Sequence, residues 1–225
     1  MTDIIDFSVF YERACERKGG EAAMRSMLPE VVSDKELAKI TDDRVLSLMT
    51  RCIFRAGFVW QIIDRKWPQF EEAFSGFVPL YWQQVPPERL EELAQDERIV
   101  RNFQKIITVP VNARMIVEVS EEHGSFGKFL ASWPHDDQVG LLMFLKKNGA
   151  RLGGNTGQYL LRMLGWDGFV CASDVLTALR NYNLLDASPT SQKGLKQIQT
   201  AINHWHQETG LPRSHISRIL SYSVG

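Results

Sequence analysis

An all-α fold is the class this sequence predicts, and three observations carry the prediction. Apolar residues recur at three- and four-residue spacing along most of the chain. No stretch alternates apolar and polar for long enough to make a persuasive strand. The glycines, prolines and short polar residues fall between the periodic runs, where helices start and stop. Roughly ten helices are expected from this punctuation.

In chain order, "DDRVLSLMTRCIFRAGF" opens with Asp42 and Asp43 as cap and dipole partners, then sets Val45, Leu48, Met49, Cys52 and Ile53 on one face. "WQIIDRKWPQFEEAFSGF" continues with a second helix, and a short one begins around Pro68, where proline suits a first turn. "PPERLEELAQDER" is capped through Pro86-Pro87 and stops near Asp96. The following helix holds Ile99, Phe103, Ile106 and Ile107 on one side; Pro110 bends or restarts it, and Gly124 ends it. "DDQVGLLMFLKKNG" is capped by Asp136 or Asp137 and ends at Asn148-Gly149. "SDVLTALRNYNLL" and "SQKGLKQIQTAINHWHQETG" are helical, the latter with an apolar stripe of Leu195, Ile198, Ile202 and Trp205, and "SHISRILSYS" closes the chain.

At 225 residues the chain is expected to be one domain, or two interlocking lobes, and long enough to bury a real core. A net charge of −1 argues against a protein held on nucleic acid by massed Lys and Arg, so any such contact must be local. Cys15, Cys52 and Cys171 are odd in number and far apart, which fits a reducing compartment better than a disulfide framework. The N-terminus lacks the basic-then-apolar pattern of a signal peptide, and no apolar run approaches the ~18 residues of a membrane span. A cytoplasmic monomer with no membrane partner is the expectation.

The informative stretch is "KKNGARLGGNTGQYLLRML", residues 146–164. Two helices joined by a tight turn make a helix–hairpin–helix over about residues 136–165. Gly153, Gly154, Asn155, Thr156 and Gly157 expose successive backbone N–H groups at the positive end of the following helix, with Lys147 and Arg151 just upstream. Such a turn suits a phosphate of a nucleic-acid backbone, a contact that positions without reading sequence. The alternative is a glycine-rich turn that only packs two helices together. A P-loop is disfavoured, because no Gly-Lys-Ser/Thr follows and no strand precedes.

Four further segments widen the reading. "FRAGFVWQIIDRKWPQFEEAFSGF" (54–77), "IVRNFQKIITVPVNARMIVEV" (99–119), "GSFGKFL" (124–130) and "LGGNTGQYLLRMLGW" (152–166) occur in an order and spacing that resembles 3-methyladenine DNA glycosylase I, within the helix–hairpin–helix glycosylases. The likeness spans roughly residues 45–222. It implies an all-helical, two-lobed fold with a cleft between the lobes, and an enzyme that cuts the N-glycosidic bond of alkylated purines in base-excision repair. By this resemblance Gly154, Thr156 and Tyr159 match a Gly-x-Thr-x-x-Tyr run, Arg101 and Asn102 match an Ile-x-Arg-Asn segment, and Trp60 matches the aromatic that stacks on the base. Phe54 and Phe58, placed with Trp60 on one and a half turns of helix, complete an aromatic pocket, with core packing as their other reading. Asp174, twenty residues after Gly154, stands where related enzymes stabilise oxocarbenium character; it also stands where a helix N-cap belongs. The only other carboxylate nearby is Asp167. No lysine occurs from Arg151 through Gln192, which implies a monofunctional enzyme using water rather than an amine.

Three departures from the family qualify the match. Cys52 stands eight residues before Trp60, where the family carries a pocket glutamate. An N-terminal Tyr-His pair is missing, though Tyr11 can supply an aromatic to the pocket. The family's zinc pairing has no counterpart: Cys15 lacks a nearby histidine, and His204, His206 and His215 read as surface residues, so no zinc is expected. A monovalent cation held by hairpin carbonyls stays open. Trp67, Trp82, Trp133 and Trp205 read as packing residues. The competing functions are a helix–hairpin–helix protein that binds damaged DNA without cutting it, and a helical adaptor whose hairpin is only a turn.

Overall fold

A computed structural model describes residues 4–224, and every regular element among them is helical. In order these are α1 (Ser8–Lys18), α2 (Glu21–Ser26), α3 (Asp34–Leu37), α4 (Asp42–Arg55), α5 (Trp60–Ala73), a 3-10 turn (Ser75–Phe77), α6 (Pro79–Trp82), α7 (Pro87–Gln95), α8 (Phe103–Ile106), α9 (Thr108–His123), α10 (Phe126–Ser132), α11 (Gln138–Asn148), α12 (Asn155–Met163), α13 (Ser173–Asn181), α14 (Gln192–Thr209) and α15 (Arg213–Tyr222). That is fifteen α-helices among the described residues rather than about ten. The surplus lies in the first forty positions and in four-residue helices, too short to show a 3.6-residue period.

Three helix boundaries fall where the sequence punctuation puts them. Pro87 opens α7 behind Pro86. Asp137, of the two aspartates considered, caps α11 by accepting the Gly140 N–H at 3.0 Å, and Gly124 terminates α9.

Other boundaries differ. Thr41 occupies the N-cap of α4, so Asp42 is its first helical residue. The Asp42 carboxylate instead accepts the Phe126 N–H at 2.8 Å and the Ser120 hydroxyl at 2.6 Å, joining α4 to α9 and α10. Pro68 does not begin a helix but lies inside α5. An internal proline costs about 3 kcal/mol, which the buried residues Ile63, Trp67, Phe70 and Ala73 on both sides of it offset. Ile99 precedes α8, and Phe103 is exposed rather than part of a buried stripe. The chain restarts at Thr108, placing Pro110 in the first turn of α9, where its missing N–H costs little.

The described chain divides into two compact units. One comprises Ser33–Trp133 and Leu142–Leu164. Its core includes a run of near-parallel rings: Trp67 on Phe70 at 4.9 Å, Phe70 on Phe74 at 6.1 Å, and Phe74 on Phe77 at 5.0 Å. The buried Trp82 packs on Phe74 and donates its indole N–H to the Phe74 carbonyl at 2.7 Å. Trp133 packs on Phe129 and Phe144.

The other unit comprises the described residues up to Val32, Pro134–Leu141, and the chain from Gly165 onward. Its core is built from Phe7, Phe10, Ile198, Ile202, Trp205, Ile216 and Ile219, with the Trp205 indole N–H donated to the Ile5 carbonyl at 2.8 Å. The tryptophans read as packing residues therefore do pack. No helix among the described residues is long and apolar enough to cross a membrane.

Candidate functional site

The hairpin lies in the first of these units from Leu142 onward. Leu142 and Leu145 of α11 and Leu152 of the turn are buried, whereas Lys146, Lys147, Arg151, Gly154 and Asn155 are exposed. The turn is thus anchored by leucine and faces solvent along its polar rim.

Two of its glycines answer to different demands. Gly154, the residue before α12, has φ +59 and ψ −139, a conformation closed to side-chain-bearing residues, and a Cβ there would meet nothing within 4 Å. Gly157, one turn into the helix, allows close approach: a Cβ would lie 2.6 Å from the Leu152 carbonyl oxygen. One glycine shapes an open surface and the other lets α12 press onto the turn beneath it.

Trp60 begins α5 and is 42% exposed. Its ring meets Tyr159 of α12 edge-on at 5.0 Å and 89°, and the Arg55 guanidinium sits 5.1 Å from its centroid. The helix that starts at the glycine turn thereby carries the residue that supports Trp60.

The aromatic trio foreseen on one helix is not one. Phe54 lies in the last turn of α4, fully buried against Phe70 at 4.8 Å, Phe58 lies in the connecting loop at 43% exposure, and only Trp60 is on α5. Phe54 is core. Phe58, Val59, Trp60 and Ile62 form an exposed apolar run.

Charge beneath Trp60 is arranged around Asp64. Its Oδ1 accepts from Arg55 (Nε 2.8 Å, Nη2 2.6 Å) and Arg51 (Nε and Nη2, both 3.0 Å). Burial alone would raise this carboxyl, but the two guanidiniums outweigh it and hold it below the usual carboxylate range. Two cations on one carboxylate leave the neighbourhood positive. Cys52 adds no negative charge: it is 4% exposed, lies 3.4 Å from the Met163 sulfur, and burial pushes its thiol up to about 12 despite Arg55 and Arg51. It is a buried, neutral group between α4 and Met163 of α12.

Sequence reasoning missed Lys105. Asn102, matched earlier by resemblance alone, caps α8 by accepting the Lys105 N–H at 3.2 Å. Lys105 is a buried residue, and its ammonium donates to the carbonyls of Phe54 (3.0 Å) and Ala56 (2.7 Å) at the end of α4. Burial first, and then Arg151, draw its pKa below the ordinary lysine value. It closes the helix end from which the Phe58–Trp60 loop departs. Arg101 is exposed and pairs only loosely with Glu97 at 3.8 Å.

Asp174 and Tyr11 belong to the other unit. Asp174 is not a helix cap: Ala172 holds that position, and Asp174 sits exposed in the first turn of α13, receiving the Ser173 hydroxyl at 3.3 Å. Asp167 is committed to structure, accepting the Ser214 N–H at 3.0 Å beside Arg213 at 3.5 Å. Tyr11 donates its hydroxyl to Glu21 at 2.7 Å, with Arg25 over its ring. His206 and His215 face backbone carbonyls, of Leu211 at 2.8 Å and Pro29 at 2.9 Å, rather than the solvent expected of them. No group of three His, Cys, Asp or Glu side chains converges on a metal position among the described residues.

A sequence model of the methyladenine glycosylase family matches residues 34–157, from α3 through the glycine turn. Similar solved structures include 3-methyladenine DNA glycosylase I from Staphylococcus aureus, at 23% identity, a TM-score of 0.51, and coverage of 61% of this chain and 80% of that one. A 3-methyladenine DNA glycosylase I variant in complex with 3-methyladenine shares 19% identity at a TM-score of 0.53, covering 71% and 95% of the two chains. The Methanocaldococcus jannaschii 8-oxoguanine glycosylase/lyase bound to DNA shares 17% identity at 0.53, covering 94% and 95%. These likenesses establish the helical fold.

Proposed function

The chain belongs to the methyladenine glycosylase family, and on that premise we propose that it is a monofunctional DNA glycosylase excising alkylated purines such as 3-methyladenine from duplex DNA, the opening step of base-excision repair. The observation that carries this reading is the sharing of one helix. α12 begins at the open Gly153–Gly157 turn and braces Trp60 through Tyr159, so the proposed backbone grip and the proposed base platform are built as one piece.

In this reading the turn's amides, with Arg151 and Lys147, hold phosphate. The damaged nucleotide swings out of the stack at a cost of a few kcal/mol, less for a damaged pair. Its base lies against Trp60, with Phe58 and Val59 supplying apolar surface beside it. Arg55 already lies over the indole, so a cationic base gains less from Trp60 than the ~1–2 kcal/mol of an unshared cation–π contact. Cys52, held neutral, offers no counter-charge. Tyr11 is assigned as an aromatic of the base pocket on resemblance alone.

Bond cleavage separates the sugar C1′ from the base nitrogen, which leaves with the electron pair. Asp174 stabilises the positive sugar, and water adds at C1′ and gives up a proton. A lyase step has no amine to use in this reading: no lysine occurs from Arg151 through Gln192, and the Lys105 ammonium is occupied by two carbonyls. The protein acts as a monomer, with no zinc.

The test is release of free base from methylated duplex DNA. Wild type is expected to liberate 3-methyladenine, and Asp174→Asn to slow release by about 10²–10³-fold, the scale of losing one electrostatic stabiliser. Tight binding without release would instead identify a damage-binding protein. Neither binding nor release would identify an adaptor.

A further inference from the structure

Asn112 lies in the interior of α9 and is completely buried. Asparagine is a poor residue for a helix interior, and its amide is costly to bury unless its polar atoms are bonded. Both are, and to a single residue of the hairpin: Oδ1 accepts the Ala150 N–H at 2.8 Å, and Nδ2 donates to the Ala150 carbonyl at 3.3 Å. One side chain therefore claims both backbone groups of Ala150, as a neighbouring strand would. Gly149 makes room for it, since a Cβ there would lie 3.1 Å from Oδ1. The next residue, Arg151, has φ +57, a left-handed conformation that a side-chain-bearing residue keeps only when its surroundings impose it.

We propose that Asn112 is a positioning residue for DNA-backbone binding. By fixing Ala150 it holds Arg151 in its left-handed turn and presets the amides of 153–157 before a phosphate arrives. The inference rests on the hairpin being the phosphate grip. A preset turn avoids an ordering cost at the moment of binding, so Asn112 acts on affinity, without touching DNA or the reacting bond.

The test is a double-mutant cycle on a methylated duplex. Asn112→Ala is expected to raise Kd and KM about tenfold, the scale of losing a buried hydrogen-bonded pair, with the change in KM rather than kcat. In a Gly154→Glu background, where the turn already repels phosphate, Asn112→Ala adds no further loss. An unchanged Kd in Asn112→Ala, or a fully additive loss, overturns the role. If Gly154→Glu itself binds DNA normally, the reading of the hairpin fails and this inference falls with it; if only Gly154→Glu weakens binding, the inference alone fails. Amide hydrogen exchange on the wild-type protein covers the case in which Asn112→Ala does not fold. The Ala150 amide is expected to be protected like the amides of α9, and exchange at the rate of an exposed loop overturns the lock.

Discussion

Trp60 and Trp67 stand two turns apart on α5, and the fold treats them in opposite ways. Trp67 is 7% exposed; its ring stacks on Phe70 within 13° of parallel, and its N–H is donated to Ser47 (3.2 Å) and Glu71 (3.1 Å). Trp60 keeps far more of its surface in solvent, yet it is braced edge-on by Tyr159 and faced by Arg55. One indole has every demand met from within, as core packing requires. The other is held in place while its surface is left available. Exposure combined with fixed neighbours is what the proposed base platform requires.

Substitution at the two positions should separate these roles. Trp67→Ala is expected to cost about 3–5 kcal/mol of stability, the range for emptying a buried tryptophan site, seen as a large drop in the chemical denaturation midpoint. Trp60→Ala should leave the melting temperature almost unchanged while weakening damaged-DNA binding by about 1–3 kcal/mol, the value of one base–aromatic stack. Equal stability losses at the two sites would erase the distinction.

A smaller effect concerns pH. Burial raises the Glu71 carboxyl, but Arg44, then Ser47 and Trp67, outweigh burial and set it below its ordinary 4.5. Its folded value being depressed, Glu71 contributes stability that is fully present above pH 4.5 and is lost as pH falls through the lower folded value. Thermal melts of wild type from pH 6 down to about 3 should therefore fall more steeply than those of Glu71→Gln.

Much of the fold was legible because helices announce themselves through period and punctuation. The α11–turn–α12 hairpin, the stop at Gly124 and the start at Pro87 all follow from local chemistry. What escaped depends on partners distant in sequence. Asp42 reads as a cap, but its acceptor capacity is used by Ser120 and Phe126, across 78 and 84 positions. Lys105 and Asn112 read as ordinary helix residues, because nothing nearby reveals that they bind Ala56 or Ala150. Phe54, Phe58 and Trp60 looked like one cluster because the break between α4 and α5 carries only one glycine, Gly57, as its signal.

The central claim is that the Gly153–Gly157 amides hold the DNA backbone while Trp60 receives an extruded base. A crystal structure with a duplex containing a stable abasic-site analogue tests it most directly. The account predicts phosphate oxygens at about 3 Å from those amides, with the extruded nucleotide directed toward Trp60. DNA bound on another face, with the glycine turn and Trp60 both still in solvent, would contradict it.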